Sequence, residues 1–290
     1  MSHILLFGAS GRLGQQLHGL LATACSVDAP LRSEVDLSHP DLGHQLTSLA
    51  PPAIVVNCAA YTNVDAAESD RHRAHAINAE AVGTIASWCR ETGAWLIHFS
   101  TDYVFDGEKG VPYVEEDETN PVNVYGATKR EGELRALDAN ERTIILRVAW
   151  LYDHQGPSFV RTMMRLAAMR ATLSVASDQV GNPTYTRPLA EHTLRVIRAV
   201  SQGHGVGGVF HLASPDFVSR YDLVSHLGQR LGWDCHIEPV ASATFATPAK
   251  RPLFTALNSH RIEAHYGVRL PDWQAQLNLA LAEWQGDRSD

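Results

Sequence analysis

Thr101, Tyr125 and Lys129 are the residues of this chain best suited to deliver a proton to a carbonyl oxygen. Tyr125 and Lys129 stand at i and i+4, so they share one face if the segment is helical. A free phenol has a pKa near ~10 and is a poor acid or base at neutral pH. A lysine cation beside it favours the phenolate and lowers that pKa. A phenol tuned in this way protonates a carbonyl oxygen as hydride reaches the carbon. Thr101 would hold the same oxygen by a hydrogen bond. The chain has eight tyrosines but only three lysines, Lys109, Lys129 and Lys250. Roughly 0.08 such pairs are expected by chance, so the spacing is uncommon without being decisive alone. The competing account is a tyrosine and a lysine on a solvent-facing helix.

The elements that must position these side chains can be read on either side of them. Trp95 to Phe99 is a short apolar run that fits a buried parallel strand. Thr101 then lies at its carboxyl end, where ligands bind in open α/β sheets. After Asn120-Pro121 the pattern becomes helical and carries Tyr125 and Lys129. At the amino terminus, His3 to Phe7 is a β-type run followed by Gly8-Ala9-Ser10-Gly11-Arg12-Leu13-Gly14. Leu13, Leu17, Leu20 and Leu21 continue at helical spacing. Strand, glycine-rich turn and helix occur in the order that dinucleotide binding needs. Such glycines let the backbone approach a pyrophosphate, and the helix start offers it free N–H groups.

Ala24 to Asp28 reads as a second strand and Val35-Asp36-Leu37 as a short third. An acidic residue at the end of the second strand favours a ribose hydroxyl, whereas an arginine accommodates a phosphate. Asp28 and Arg32 both lie there, with Arg12 in the glycine loop, so the expectation is NADPH with some use of NADH. Ile54 to Asn57 is the next strand, running into small residues that let a cofactor lie flat. Residues 71 to 91 read as one long helix with Ala74, Ile77, Ala81, Ile85 and Trp88 as its apolar stripe. His72 and His75 on it are expected at the surface rather than on a metal. Thr143 to Val148 is a further strand, and Trp150 beyond it is suited either to stacking on a sugar or to filling core.

Later, Gly181-Asn182-Pro183-Thr184 is a turn, Arg187 to Ser201 a helix, Gly203 to Gly208 a loop and Val209 to Leu212 a strand. From Ser219 onwards helical segments are broken by Thr247 to Pro252. The alternation implies an α/β fold, a doubly wound parallel sheet of Rossmann type with a smaller carboxy-terminal lobe. Residues 1–150 would form the dinucleotide-binding domain, completed by about 187–213. Residues 151–186 and 214–290 would form the substrate-binding lobe.

Composition excludes some function classes. The net charge is -8 and no basic face is evident, which argues against nucleic acid as partner. The four cysteines, Cys25, Cys58, Cys89 and Cys235, are too scattered for a metal site and fit free thiols in a reducing cytoplasm. The first residues do not read as a signal peptide. No segment is long and apolar enough to span a membrane.

The blocks Asn57 to Glu68, Ser100 to Gly107, Tyr125/Lys129 with Gly132-Glu133, and the Arg251-Pro252 region together resemble the extended short-chain dehydrogenase/reductase superfamily. Within it the chain is most similar to the dTDP-4-dehydrorhamnose reductase family, over nearly its whole length. The resemblance implies reduction of the 4-keto group of dTDP-6-deoxy-L-lyxo-4-hexulose to dTDP-L-rhamnose, with a nicotinamide cofactor in the glycine-rich cleft. Carried over by position, Gly11, Arg12 and Leu13 would meet the pyrophosphate, and Asp36 and Leu37 the adenine. Ala60, Tyr61 and Thr62 would line the central cofactor path. Tyr125 and Lys129 would also hold the nicotinamide ribose. Thr101, Asp102 and Trp150 would face the sugar nucleotide, and Arg251 is suited to its diphosphate because a guanidinium forks onto phosphate oxygens.

The chain departs from family members that carry a magnesium site at a dimer contact. The matching positions read Gln15-Gln16 and Arg187-Pro188, so no metal is expected, and either a monomer or a homodimer not bridged by magnesium. Other readings share parts of the pattern. A sugar-nucleotide epimerase or another sugar-nucleotide reductase has the same glycine loop and Tyr/Lys pair. A 4,6-dehydratase would carry a second carboxylate after Asp102, where Tyr103 stands. A regulatory subunit of methionine adenosyltransferase type would keep the site without turnover.

Overall fold

Strands of four apolar residues, such as Ile4–Phe7 and Ile54–Asn57, gain little alone and form because neighbours bury both their faces. In the computed structural model, which describes residues 3–286, six of them make one parallel sheet. They are β1 (Ile4–Phe7), β2 (Val27–Asp28), β3 (Ile54–Asn57), β4 (Trp95–Thr101), β5 (Thr143–Val148) and β6 (Gly208–His211). Their spatial order is β2-β1-β3-β4-β5-β6. The chain leaves β1 for β2 on one side and returns to β3 on the other, so a crevice opens at the carboxyl end of β1.

Helices cover both faces. Arg12–Ala24 and Thr186–Ser201 lie on one, with Leu13, Leu17, Leu21, Leu189 and Ile197 buried against β1, β3 and β4. The other face takes Leu42–Thr47 and the long helix that starts at Arg71, through Leu42, Leu46, Val82, Ile85, Ala86 and Cys89. Helix Val124–Ala139 joins this face through Ala136. A separate apolar cluster of Tyr152, Tyr185, Leu223, Leu227, Trp273 and Leu277 holds the later segments together.

Several expectations change. Val35-Asp36-Leu37 is not a strand. Its backbone is satisfied by side chains instead: Gln45 accepts from the Asp36 N–H at 3.1 Å, and Asp36 accepts from the Ser38 N–H at 2.9 Å. The second strand shrinks to Val27–Asp28 because the preceding helix runs on to Ala24. The 71–91 helix exists as Arg71–Thr92 but passes through a π-helical stretch, Ala76–Glu80. The carboxy-terminal part also holds a parallel pair, Thr172–Ala176 with His236–Val240. Its second strand is largely exposed and contains Pro239, so it carries no apolar signal.

The π stretch has a packing reason. Gly132, on helix Val124–Ala139, faces the Asn78 carbonyl so closely that an added Cβ would lie 2.0 Å from its oxygen. The two helices meet backbone to backbone, and the widened turn brings the Asn78 side chain to the loop before it. Alanine is favoured over glycine within a helix by ~1 kcal/mol. Here that gain is outweighed, since overpacking against backbone costs ~1–3 kcal/mol. Gly132→Ala should therefore lower the urea unfolding midpoint; an unchanged or higher midpoint would mean that the helices part freely.

Candidate active site

The crevice at the carboxyl end of β1 is a cleft of about 440 Å³. Gly8, Gly11, Arg12, Leu13 and Gly14 form one wall, and Arg32, Asp36 and Leu37 one end. Ala60, Thr62, Tyr125 and Lys129 line it further along. Gly8 has φ 79°, and a Cβ there would lie 2.6 Å from the Ala59 nitrogen. A Cβ on Gly14 would lie 2.0 Å from the Gly8 carbonyl oxygen. These two positions admit only glycine, which keeps the turn tight and the helix start open. Gly11 caps helix Arg12–Ala24 with no side-chain bond, and the first turn carries no acidic residue. Unclaimed N–H groups and the positive helix end therefore face the cleft, which fits a dinucleotide diphosphate.

Not every residue expected in the cleft reaches it. Arg12 does line the cleft, although its guanidinium donates to the Pro157 carbonyl at 2.9 Å. Asp28 turns away to His3, 2.9 Å from its ring, which leaves Arg32 as the charged group at the far end. Arg32 itself is exposed and stands 3.5 Å from Asp36. The Asp36 carboxyl is held below the usual range, first by the Ser38 N–H and hydroxyl that it accepts from. Tyr61 does not line the cleft. Asn78 clamps its backbone, accepting from its N–H at 2.8 Å and donating to its carbonyl at 3.1 Å, while the phenol lies beside Asp70.

At the other end, Thr101 closes β4 opposite Val148 of β5. Helix Val124–Ala139 starts where Asn123 accepts from the Gly126 N–H at 2.8 Å and Glu68 from the Val124 N–H at 2.8 Å. Tyr125 is thereby delivered to the end of β4 in its first turn. Burial pushes its pKa up, and the neighbouring Thr101 hydroxyl pulls it partly back. This reverses the expected effect: Tyr125 is held as a phenol. Lys129 does not act on it in this arrangement. Its buried amine donates to the Phe99 carbonyl at 2.6 Å and lies 3.0 Å from His98 Nε2.

Asp102 is buried, accepting from Thr101 at 3.0 Å and from Thr255 at 2.6 Å. Burial raises its pKa to about 6, against the pull of those hydroxyls and of Arg220. Trp150 has φ 44°, the left-handed region, and its indole lies on Gly181 so closely that a Cβ there would be 2.6 Å from the ring. The Arg220 guanidinium sits 4.0 Å above that ring and 4.4 Å from Phe159. Arg220 and Tyr103 lie beside Asp102. Sequence reading missed Arg220, because only the fold brings residue 220 to residue 102. Arg251 is partly engaged within the protein. Asp65 takes it in a fork at 3.0 and 2.8 Å, and the Ala249 carbonyl accepts a third bond at 3.0 Å.

Glu133 is fully buried and accepts a fork from Arg147 of β5 at 2.9 and 2.8 Å. Arg130 adds a bond at 3.2 Å. This pair fixes the helix to the sheet below the site. Gln15, Gln16, Arg187 and Glu191 come together around a second cavity of about 350 Å³, where Arg187 is paired with Glu191 and Glu283.

A glycine-lined cleft, a threonine at a strand end and a helix bearing tyrosine and lysine thus come together at one end of the sheet. A family model described as "RmlD substrate binding domain" matches residues 1–285. The chain is 35% identical to the dTDP-4-dehydrorhamnose reductase of Burkholderia thailandensis, covering 97% of this chain and 98% of that one. The chain belongs to this family. It is thereby a nicotinamide-dependent oxidoreductase. It is also 38% identical to a probable dTDP-4,6-dihydroxy-2-methyloxan-3-one 4-ketoreductase of Streptomyces antibioticus, over 96% of this chain and 94% of that one. Among solved structures it is similar to dTDP-4-dehydrorhamnose reductase of Bacillus anthracis in complex with NADP. The TM-score is 0.90 and the identity 29%, covering 97% of this chain and 99% of that one. No described helix is long and apolar enough to cross a membrane.

Asp102 gives the site a pH signature. Its folded pKa lies above the usual carboxyl value of 3.8, at about 6. The folded state therefore holds a proton that the unfolded chain releases earlier. Its contribution is full below 3.8 and is lost as pH rises through about 6. Over that window the stability of the native protein, measured by urea unfolding, should fall relative to Asp102→Asn; parallel curves for the two proteins would refute it.

Proposed function

We propose that the chain reduces the 4-keto group of dTDP-6-deoxy-L-lyxo-4-hexulose to give dTDP-L-rhamnose, with NADPH as the preferred cofactor and NADH usable. The observation that carries this reading is that the Tyr125 phenol and the Thr101 hydroxyl meet at the end of β4, beside the glycine-lined cleft. Bound in that cleft, the cofactor supplies hydride to the carbonyl carbon. Gly8, Gly11, Leu13 and Gly14 would hold its diphosphate, with Arg12 above. Arg32 would take a 2′-phosphate, and Asp36 and Leu37 would border the adenine. Ala60 and Thr62 would flank the middle, while Tyr125 and Lys129 would hold the nicotinamide ribose.

Tyr125 gives its proton to the keto oxygen, and a phenol kept protonated by burial is ready for that direction of reaction. Thr101 holds the oxygen in place. Residues 151–186 and 214–290, of which 287–290 lie outside the described residues, would form the lobe that carries the sugar nucleotide, with Trp150 and Asp102 at its border. Arg251 uses three N–H bonds on Asp65 and Ala249, so the other N–H groups of its guanidinium remain for a diphosphate. A second reading, 4-keto reduction of a related sugar nucleotide, rests on the 4-ketoreductase relative. Dehydration is disfavoured because Tyr103, engaged with Arg220, stands where a second carboxylate would be required. We expect no magnesium requirement for turnover.

Two experiments test this proposal. Tyr125→Phe should cut turnover with the dTDP-4-keto sugar by roughly 10²–10⁴ while the fold persists. Near-full turnover would remove Tyr125 from the role. Arg32→Ala should weaken NADPH and spare NADH, by about 1.5–3 kcal/mol if a charge-assisted bond is lost. Equal weakening of both, measured by fluorescence titration, would show that Arg32 does not read the 2′-phosphate.

A further inference from the structure

Behind the cleft, four groups form one buried line. Asn57 ends β3 and pairs in register with His98 of β4, so their side chains share a face of the sheet. Asn57 Oδ1 accepts from the Ala59 N–H at 3.0 Å. Its amide is thereby oriented: the oxygen is on Ala59, and the Nδ2 group faces His98 Nδ1 at 3.1 Å. An amide N–H can only donate, so Nδ1 must be the accepting nitrogen. Neutral His98 then carries its proton on Nε2, the nitrogen 3.0 Å from Lys129 Nζ. Both ring nitrogens have partners in this ring orientation, and all three side chains are buried.

We propose that Asn57 and His98 are positioning residues that favour the free-amine form of Lys129 before cofactor binds, by pointing the His98 Nε2–H at its lone pair. The valences then close. One amine N–H goes to the Phe99 carbonyl, the lone pair accepts from His98, and the second N–H is left for the cleft that Lys129 lines. A protonated Lys129 would instead set an N–H against an N–H. Relieving that clash requires moving the His98 proton to Nδ1, which then meets the Asn57 amide, and turning the amide breaks the bond from Ala59.

The surroundings agree. The charged or titratable groups around the amine are His98 on β4, Cys58 after β3, and Tyr125 and Glu133 on its own helix. Burial lowers the Lys129 pKa to about 8, although Glu133 and a Cys58 thiolate would raise it. Glu133 is already neutralised by Arg147 and Arg130. Burial pushes the Cys58 thiol so far up that no thiolate exists at neutral pH. His98 itself is held well below its usual pKa by burial. The chemical consequence is that a neutral Lys129 does not draw the Tyr125 phenol toward phenolate.

The chain has only three lysines, which makes a direct test practical. The full-length protein, free of cofactor, is labelled at lysine Cε and histidine nitrogens for NMR. Lys109→Arg and Lys250→Arg assign the lysine signals, and His98→Met assigns the histidine. The expected result has the His98 proton on Nε2 and Lys129 titrating at or below about 8, well under the usual lysine value of 10.5. In His98→Met the Lys129 titration should move up, because the neutral amine loses its donor. Burial alone predicts no rise in that variant. A proton on Nδ1, Lys129 titrating at or above 10.5, or no rise in His98→Met overturns the proposal. Should that variant not fold, the native tautomer and titration decide it. The inference concerns the Lys129 assigned above to cofactor and catalysis, but its readout needs no turnover. Failure of the substrate assignment and failure of this proton assignment are therefore separable.

Discussion

A lysine amine at 1% exposure on the floor of a nucleotide cleft must find all its partners inside the protein. This one requirement shapes the site. The Phe99 carbonyl is available because β3 ends at Asn57, opposite His98, and the last residues of β4 pair with β5 alone. His98 is available because its side chain points to the helix-covered face, and it is itself satisfied by Asn57 of the adjacent strand. Helix Val124–Ala139 must then run at a fixed height over β4 and β5. The buried Glu133–Arg147 fork sets that height one turn beyond Lys129. Breaking such a pair on one side leaves a buried charge uncompensated, so the anchor tolerates little movement.

Close backbone approach is the second condition. At Gly126 a Cβ would lie 2.1 Å from the Tyr103 carbonyl oxygen, and at Gly132 2.0 Å from that of Asn78. Helix Val124–Ala139 is thus seated against the loop after β4 at one end and against the π stretch at the other. The Asn78 side chain, brought inward by that stretch, bonds Tyr61 on one side and Thr128 at 3.2 Å on the other. One residue ties the loop beside the cofactor path to the helix that bears Tyr125. Rigidity here matters because proton transfer depends on heavy-atom distances near a hydrogen bond.

The carboxy-terminal segments reach the site through polar contacts rather than through the sheet. Thr255 bonds Asp102, Arg251 bonds Asp65, and Asn123 donates to the Lys250 carbonyl at 2.9 Å. Arg220, stacked on Trp150, completes the ring around Asp102 and Tyr103. Each of these joins residues more than 65 positions apart in sequence, so ordering the lobe and ordering the site are coupled.

What the sequence determined by itself follows from local rules. The runs Ile54–Asn57 and Thr143–Val148 read as strands with their true bounds, because buried parallel strands are short and uniformly apolar. The glycine turn was legible because the tight turn and the close approach allow nothing larger, and Tyr125 and Lys129 because their spacing places them on one helix face. Tertiary structure decided the rest. The segment at Val35 has strand-like residues, yet its hydrogen bonds go to Gln45 and to its own Asp36, a competition no periodicity reveals. The pair Thr172–Ala176 and His236–Val240 depends on a partner some sixty residues away. The sequence also suggested that Lys129 would draw the Tyr125 pKa down and that Arg251 would be free. Burial raises the phenol instead, and the lysine and arginine are held by His98, Phe99 and Asp65. Residue type and spacing fix what a side chain is able to do. Its charge state and its partners are set by desolvation and by neighbours that only the folded chain brings within hydrogen-bonding distance.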